Sequence, residues 1–253
     1  MQLTVIGASG SVSSPDSASS CYLVQAGQTS VLLDLGSGAF GQVLRYLQPE
    51  HIDAVLLSHL HADHVVDLVG LDVYLRYGPG SPHRPIALWG PVGTSNRIEE
   101  LCGEPGGGRD AFTVGQWQPG VTISVGPLQI EPFRVEHPVP AYALRITGPA
   151  DQGEETRTLV YTGDTDACDG VRAAAVGADL LLAEAAFEDG RDLIRGIHLT
   201  GRRSGELASH AAVRRLVLTH IPPWTSPETV RAEACTTYGG PVDLARPGVT
   251  FTL

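Results

Sequence analysis

Short apolar runs, each closed by a polar residue or a glycine, recur along the chain. They are LTVIG at 3–7, CYLVQAG at 21–27, SVLLDLG at 30–36, DAVLLSH at 53–59 and PIALWG at 85–90, then LQIEPFRVEH at 128–137, YALRIT at 142–147, TLVYTGD at 158–164, ADLLLAEA at 178–185 and RLVLTH at 215–220. Their brevity and their valine, isoleucine and leucine content predict β-strands. Between them, apolar residues return at helical spacing in AFGQVLRYLQ (39–48), HVVDLVGLDVYLRYG (64–78), GVRAAAVG (170–177), GRRSGELASHAAV (201–213) and PETVRAEACTTY (227–238). Strands come first, helices and strands then alternate, and the second half repeats the scheme. This order predicts an α/β protein in which two sheets pack face to face with helices outside, a four-layer αββα sandwich.

No repeat, low-complexity tract or charge run marks a linker, so residues 1–253 are expected to form one domain. The least regular stretches, 103–120 and 148–155, are rich in turn residues and read as surface loops. Thr200 stands where it can cap the helix that starts near Gly201.

Composition narrows the function. With 18% charged and 42% hydrophobic residues the chain has the apolar content of a folded protein. Acidic residues outnumber basic ones by 28 to 17, and a net charge of −11 repels a polyanion. All the basic residues are arginines; the absence of lysine excludes Schiff-base chemistry, a lysine base and a Walker A phosphate loop. No apolar run approaches the roughly 18 residues of a membrane span, and the first residues lack the charged and apolar regions of a signal peptide. The expected location is the cytoplasm. The cysteines, Cys21, Cys102, Cys168 and Cys235, have no paired spacing and read as buried small hydrophobes.

The chemistry concentrates in SHLHADH at 58–64, directly after the strand run AVLL. Imidazole and carboxylate suit a borderline divalent cation, and a loop leaving a buried strand can aim His59, His61, Asp63 and His64 into one cavity. Core packing does not explain side chains this polar.

HLHADH at 59–64 resembles the HxHxDH motif of the metallo-β-lactamase superfamily, and LLDLGSG at 32–38 resembles that family's first motif. The resemblance implies further ligands in order: His137 in EHPVPAY, Asp164 in YTGDT and His220 in LVLTH, each at the end of an expected strand. It implies one metal held by His59, His61 and His137, a second by Asp63, His64 and His220, and Asp164 bridging them. Two divalent ions follow, with zinc first and manganese or iron compatible with the same ligands. Asp34 resembles the family's supporting aspartate, although a turn-forming role suits it equally.

Of the remaining histidines, His51, His83 and His210 lie in polar or turn contexts and read as solvated. His198, in GIHLTGRR just before a helix containing GELA, resembles the histidine of the ribonuclease Z and phosphodiesterase branch, where it faces the phosphate. AEAAF at 183–187 resembles the branch's HEATF strand end, which makes Glu184 its orienting partner. GASGSVSSPDSASSCYLV, LLSHLHADHVVDLVGL, GIHLTGRRSGELA and LVLTHIPPWTSPE resemble an actinobacterial group described as atypical cyclic-nucleotide phosphodiesterases.

The expected activity is therefore hydrolysis of a small phosphodiester, a 3′,5′-cyclic nucleotide such as cyclic AMP. A hydroxide shared by the two metals would attack, Asp63 would hold or deprotonate it, and His198 would stabilise the phosphate or protonate the leaving oxygen. A tRNA 3′ endonuclease is the main alternative. The common ribonuclease Z carries a tRNA-gripping arm between the ligand histidine and the bridging aspartate, for which residues 138–163 leave no room. An arylsulfatase or other ester hydrolase, and a metal-binding protein without turnover, are further alternatives. The implied partner is a small anionic nucleotide, not long nucleic acid or a membrane, and the ribonuclease Z resemblance implies a homodimer. Trp224 could stack on a base; Arg202 and Arg203 could reach a phosphate or simply face solvent.

Overall fold

Within the central strands both faces are apolar, which is how a strand reads when packed on each side. The computed structural model describes all 253 residues and sorts these faces into three buried clusters. One sheet contains β1 (Gln2–Ser9), β2 (Ala18–Ser19), β3 (Cys21–Ala26), β4 (Thr29–Leu33), β5 (Ala54–Leu56), β6 (Ile86–Gly90) and β7 (Phe112–Gln116). The other contains β8 (Ile123–Val125), β9 (Leu128–Val135), β10 (Ala141–Pro149), β11 (Thr156–Tyr161), β12 (Leu180–Glu184), β13 (Leu216–Thr219) and β14 (Val242–Leu244); β15 (Thr250–Thr252) returns to pair with β1. The orders are β15-β1-β3-β4-β5-β6-β7, with β2 beside β1, and β14-β13-β12-β11-β10-β9-β8.

Leu3, Val5, Val31, Leu33 and Leu56 of the first sheet meet Ile130, Leu144, Leu159, Leu182 and Val217 of the second in the central core. The alternate residues of the first sheet, among them Leu23, Leu32, Val55 and Leu88, face α1 (Ala39–Val43), α2 (Ala62–Val65), α3 (Leu68–Tyr77) and α4 (Thr94–Cys102). Those of the second, including Val160, Leu181 and Leu218, face α5 (Asp169–Ala175), α6 (Gly201–His210) and α7 (Pro227–Cys235). The result is the expected αββα arrangement. Each aliphatic side chain so buried contributes roughly 1.5–3 kcal/mol relative to exposure.

The topology also fixes where chemistry can occur. β4 to β7 run parallel, as do β11 to β14, and their registers pair Leu33 with Leu56, Tyr161 with Leu182 and Glu184 with Thr219. The loops leaving these C-terminal strand ends therefore share one edge of the sandwich. Two hydrogen bonds tie the sheets there: Tyr22 Oη to Thr219 Oγ1 at 2.7 Å, and Tyr161 Oη donating to Asp34 Oδ2 at 2.7 Å.

Several expectations change. The helix expected over 64–78 breaks at Val66 and Asp67 into α2 and α3. There the Asp67 carboxylate accepts from Phe40 N–H at 2.9 Å and its own N–H donates to Leu35 O, so the break docks the segment on β4's exit. The helix expected over 39–48 ends at Val43. The stretch 103–120 is not all surface loop, for β7 lies within it, and the following Trp117 is buried, donating to Leu57 O at 2.8 Å and stacking on Trp89. β7 exposes most of its residues as an edge strand, so it carries little apolar pattern. Of the cysteines only Cys21 is fully buried; Cys235 is exposed because it ends the solvent side of α7. His51 and His210 are exposed, whereas His83 is half-buried against the Tyr74 ring, 5.6 Å away. No helix is long and apolar enough to cross a membrane.

Candidate metal centre and active site

All seven residues expected to bind metal come together at the shared strand edge, in two groups. His59, His61 and His137 form one; Asp63, His64, Asp164 and His220 form the other. His59 follows β5, His61 precedes the first turn of α2, and Asp63 and His64 lie within that turn. His137 follows β9, Asp164 follows β11 and His220 follows β13. A strand that stops at the sheet edge thus delivers each of these loops.

Glycine allows the loops to approach. A Cβ at Gly36 would lie 1.9 Å from the Asp63 carbonyl oxygen, and one at Gly10 would lie 2.4 Å from that of His220. Larger residues would force the ligand-bearing backbone outward.

The ring nitrogens converge. His59 Nε2 is 3.0 Å from His61 Nδ1, which is 3.1 Å from His137 Nε2. Asp164 stands between the groups, with Oδ1 3.3 Å from His64 Nε2 and Oδ2 3.2 Å from His220 Nε2 and 3.7 Å from His59 Nε2. The opposite ring nitrogens are held from behind. His64 Nδ1 meets Asp34 Oδ2 at 2.7 Å, His220 Nδ1 meets Ser20 Oγ at 2.9 Å, and His59 Nδ1 meets Ser58 Oγ at 3.0 Å. His137 Nδ1 donates to Ile197 O at 2.9 Å, and because a carbonyl only accepts, its Nε2 is left as a lone pair. Fixing one nitrogen so that the other faces the cavity is how histidine is prepared for metal.

Burial lowers the proton affinity of His59, His61 and His137, and neighbouring imidazoles add to it for each. They are neutral imidazoles, the form in which histidine can bind a metal. Burial also opposes charge on His64, but Asp164 and Asp34 outweigh it and hold its imidazole protonated, well above the ordinary range. Burial disfavours the Asp164 carboxylate, yet His220, His64 and His59 keep it well below the ordinary carboxylate range. Asp63 is likewise held low against its burial, first by the His64 imidazole, whose Nε2 lies 3.4 Å from its Oδ2.

Three atoms at the centre, His64 Nε2, Asp164 Oδ1 and His220 Nε2, are buried without a hydrogen-bond partner. Such orphans in a native interior call for an explanation, and an ion satisfies all three. Two donor sets, three imidazoles in one and imidazole with carboxylate in the other, with Asp164 of the second set 3.7 Å from His59 of the first, fit two divalent cations, and the donors do not choose among zinc, manganese and iron.

Glu184 and His198 flank this centre. Glu184 is fully buried; Oε1 accepts from Thr165 N–H at 3.0 Å and from His198 Nδ1 at 2.8 Å, and Oε2 from Ala186 N–H at 3.1 Å. His198 Nδ1 is also 3.9 Å from Asp164 Oδ2. Burial works against a charged His198, but the Glu184 carboxylate outweighs it and raises the imidazole to about 9. Although Asp164, Glu184 and His198 lie close enough to hold a cation, Nδ1 of His198 already serves Glu184 and both Glu184 oxygens already accept. The pair is a proton-holding unit. Thr200 Oγ1 caps α6 by accepting from Arg203 N–H at 3.2 Å.

Other candidates take different places. Asp34 is completely buried and accepts from Ser58 N, Ser58 Oγ, His64 Nδ1 and Tyr161 Oη, each at 2.7 Å, so it supports the ligands and does not merely form a turn. Arg202 donates to Asp189 Oδ2 at 2.7 Å and Arg203 pairs with Asp166. Arg203 is largely enclosed in that pair, whereas the Arg202 side chain is half-exposed. Trp224 is 62% exposed on the loop after His220. Sequence reasoning missed Ser20, Ser58 and Tyr161, whose partners are set by the fold; the serine in SHLHADH was in view but carried no ligand signal.

A family model described as the beta-lactamase superfamily domain matches residues 29–221. An uncharacterized protein of Mycobacterium leprae is 43% identical over 259 residues, covering 100% of this chain and 89% of that relative. "Probable metallo-hydrolase YhfI" of Bacillus subtilis is 32% identical over 254 residues, covering 99% of each. Its crystal structure superposes with a TM-score of 0.86, covering 99% of this chain and 98% of that one. A ribonuclease Z of Gemmatimonas aurantiaca is 29% identical over 287 residues, covering 93% of this chain and 90% of the relative.

Proposed function

Because this chain belongs to the metallo-β-lactamase superfamily and is a metal-dependent hydrolase related to ribonuclease Z, we propose that it opens a small phosphodiester, a 3′,5′-cyclic nucleotide such as cyclic AMP. The observation that carries this reading is the His198–Glu184 pair, a charged imidazole beside the shared Asp164. A neutral lactone presents no anion to such a cation, whereas a phosphodiester does and also releases a sugar alkoxide that takes up a proton.

His59, His61 and His137 would hold one cation, Asp63, His64 and His220 the other, and Asp164 both; zinc is the first choice of metal, and manganese or iron suits the same donors. When bound, the pair supplies Lewis-acid charge to the phosphoryl oxygens and acidifies a water for attack. The chain's own groups do the rest. Asp63, ionised and the less enclosed of the two ligand carboxylates, accepts the proton of the attacking water. His198, fixed by Glu184, neutralises the phosphate and gives its proton to the departing oxygen.

The ribonuclease Z relative favours a second reading, tRNA 3′ processing. Against it, the segment between His137 and Asp164 is only β10, a turn and β11, and a net charge of −11 without lysine disfavours a polyanion. The test is turnover by zinc-loaded protein on cyclic AMP, cyclic GMP, 2′,3′-cyclic nucleotides, precursor tRNA, an aryl sulfate and a lactone. Turnover of the 3′,5′-cyclic nucleotides supports the proposal; activity confined to precursor tRNA overturns it.

A further inference from the structure

The geometry points to Asp166 as a positioning residue that locks the loop carrying His198 onto the loops carrying His137 and Asp164, and so sets where His198 meets the substrate. This rests on the role proposed above for His198.

Asp166 is 1% exposed and lies two residues after Asp164. Its backbone N–H donates to Glu136 O at 2.9 Å, in an isolated antiparallel bridge immediately before His137. Its carboxylate collects donors from the other direction. Oδ2 accepts from Gly196 N–H at 2.8 Å and from Arg195 Nε at 2.7 Å; Oδ1 accepts from Ala167 N–H at 2.7 Å, from Arg195 Nη2 at 3.2 Å and from Arg203 Nη1. A carboxylate offers about four lone-pair sites, so this one is saturated. Burial works against its charge, but Arg195 and the two amides keep it ionised below the ordinary carboxylate range.

The arrangement brackets His198. Arg195 and Gly196 precede it, and Arg203 lies in the first turn of the helix that starts just after it, so the chain is held to Asp166 on both sides. Gly196, at φ +79°, makes the reversal that brings the loop back. Before these anchors the loop has little packing of its own: Leu193 is 80% exposed and Ile194 61%, whereas Leu199 after His198 is buried. Glu184 fixes the rotation of the His198 ring; the backbone from which that ring hangs is held on its N-terminal side by Asp166 and by the His137 bond to Ile197 O, and on its C-terminal side by Phe187 N–H donating to Leu199 O at 3.1 Å and by Arg203 on Asp166. Charge-assisted, bidentate bonds of this kind are the strong and geometrically specific ones.

Asp166→Asn retains an acceptor for Gly196 N–H and loses the guanidinium pairing. The experiment compares wild type, D166N, H198A and the double variant, all zinc-loaded, on cyclic AMP and on bis(4-nitrophenyl) phosphate, whose leaving group needs no proton. D166N is expected to keep its zinc and to lose about tenfold to a hundredfold in kcat on cyclic AMP, with little change in KM. The loss on the activated diester is expected to be much smaller. In the H198A background D166N is expected to change kcat less than about twofold, since both act through one group.

Equal loss in both backgrounds, or on both substrates, would make Asp166 a general structural residue and overturn the inference. H198A turning over cyclic AMP like wild type would instead sink the proposed role of His198. If D166N fails to fold, Arg195→Ala, whose side chain is 64% exposed, carries the test. A loss on cyclic AMP that vanishes in the H198A background supports the inference, and an undiminished loss there overturns it.

Discussion

Asp34 is fully buried, and four donors converge on it, one of them the candidate metal ligand His64. Replacing it with alanine frees the His64 ring and leaves the buried Tyr161 hydroxyl unpaired. Asp34→Ala is expected to weaken zinc binding roughly tenfold to a hundredfold, read by competition with a chromogenic chelator, with kcat falling as metal is lost. His198 gives a pH dependence of defined sign. Its folded value of about 9 lies above the ordinary value of 6.5, so pairing with Glu184 stabilises the metal-free protein fully below about pH 6.5. That contribution disappears as pH rises through 9. The difference in melting temperature between metal-free wild type and His198→Ala is therefore expected to be large at pH 6 and to shrink by pH 9.5. Bound cations lower the imidazole's proton affinity, so the alkaline fall in holoenzyme turnover is expected at or below pH 9.

At the level of elements, the site exists because parallel strands end on one edge and glycines let their loops meet. Gly36→Ala drives a Cβ into the Asp63 carbonyl and is expected to reduce both melting temperature and zinc content. Gly41→Ala in α1, where a Cβ would meet nothing within 4 Å, is the control and is expected to stabilise by about 0.5–1 kcal/mol. The same logic explains what was legible in the chain. Each stretch that carries a candidate ligand follows a buried strand, so the apolar run announces the polar residues after it; SHLHADH, EHPVPAY, YTGDT and LVLTH could all be placed that way. The groups that aim them could not. Ser20 meets His220 from the far end of the chain, and Tyr161 meets Asp34 across the two sheets, pairings that exist only after the sandwich closes. β8, β14 and β15 span three residues each, too short for a period to register.

For the whole molecule, charge and proton balance set the behaviour of the centre. In the metal-free protein the second proton of His64 is on Nε2, facing Asp164, where a bound cation would replace it. Zinc loading is therefore expected to release protons and to weaken as pH falls, which calorimetry in buffers of different ionisation enthalpy would measure. Chelation is expected to lower the melting temperature, because the ligands come from both sheets and their loops are held together through the metal. An acidic surface outside this centre suits a substrate small enough to be governed by the local field.

The central claim is that two cations and one charged histidine act together on a small phosphodiester. The most direct measurement is the rate at which zinc-loaded His198→Ala opens cyclic AMP, beside wild type of equal metal content. A loss of about a hundredfold or more with two zinc ions retained is predicted. Wild-type turnover in the variant, or no turnover of cyclic AMP by either protein, would contradict it.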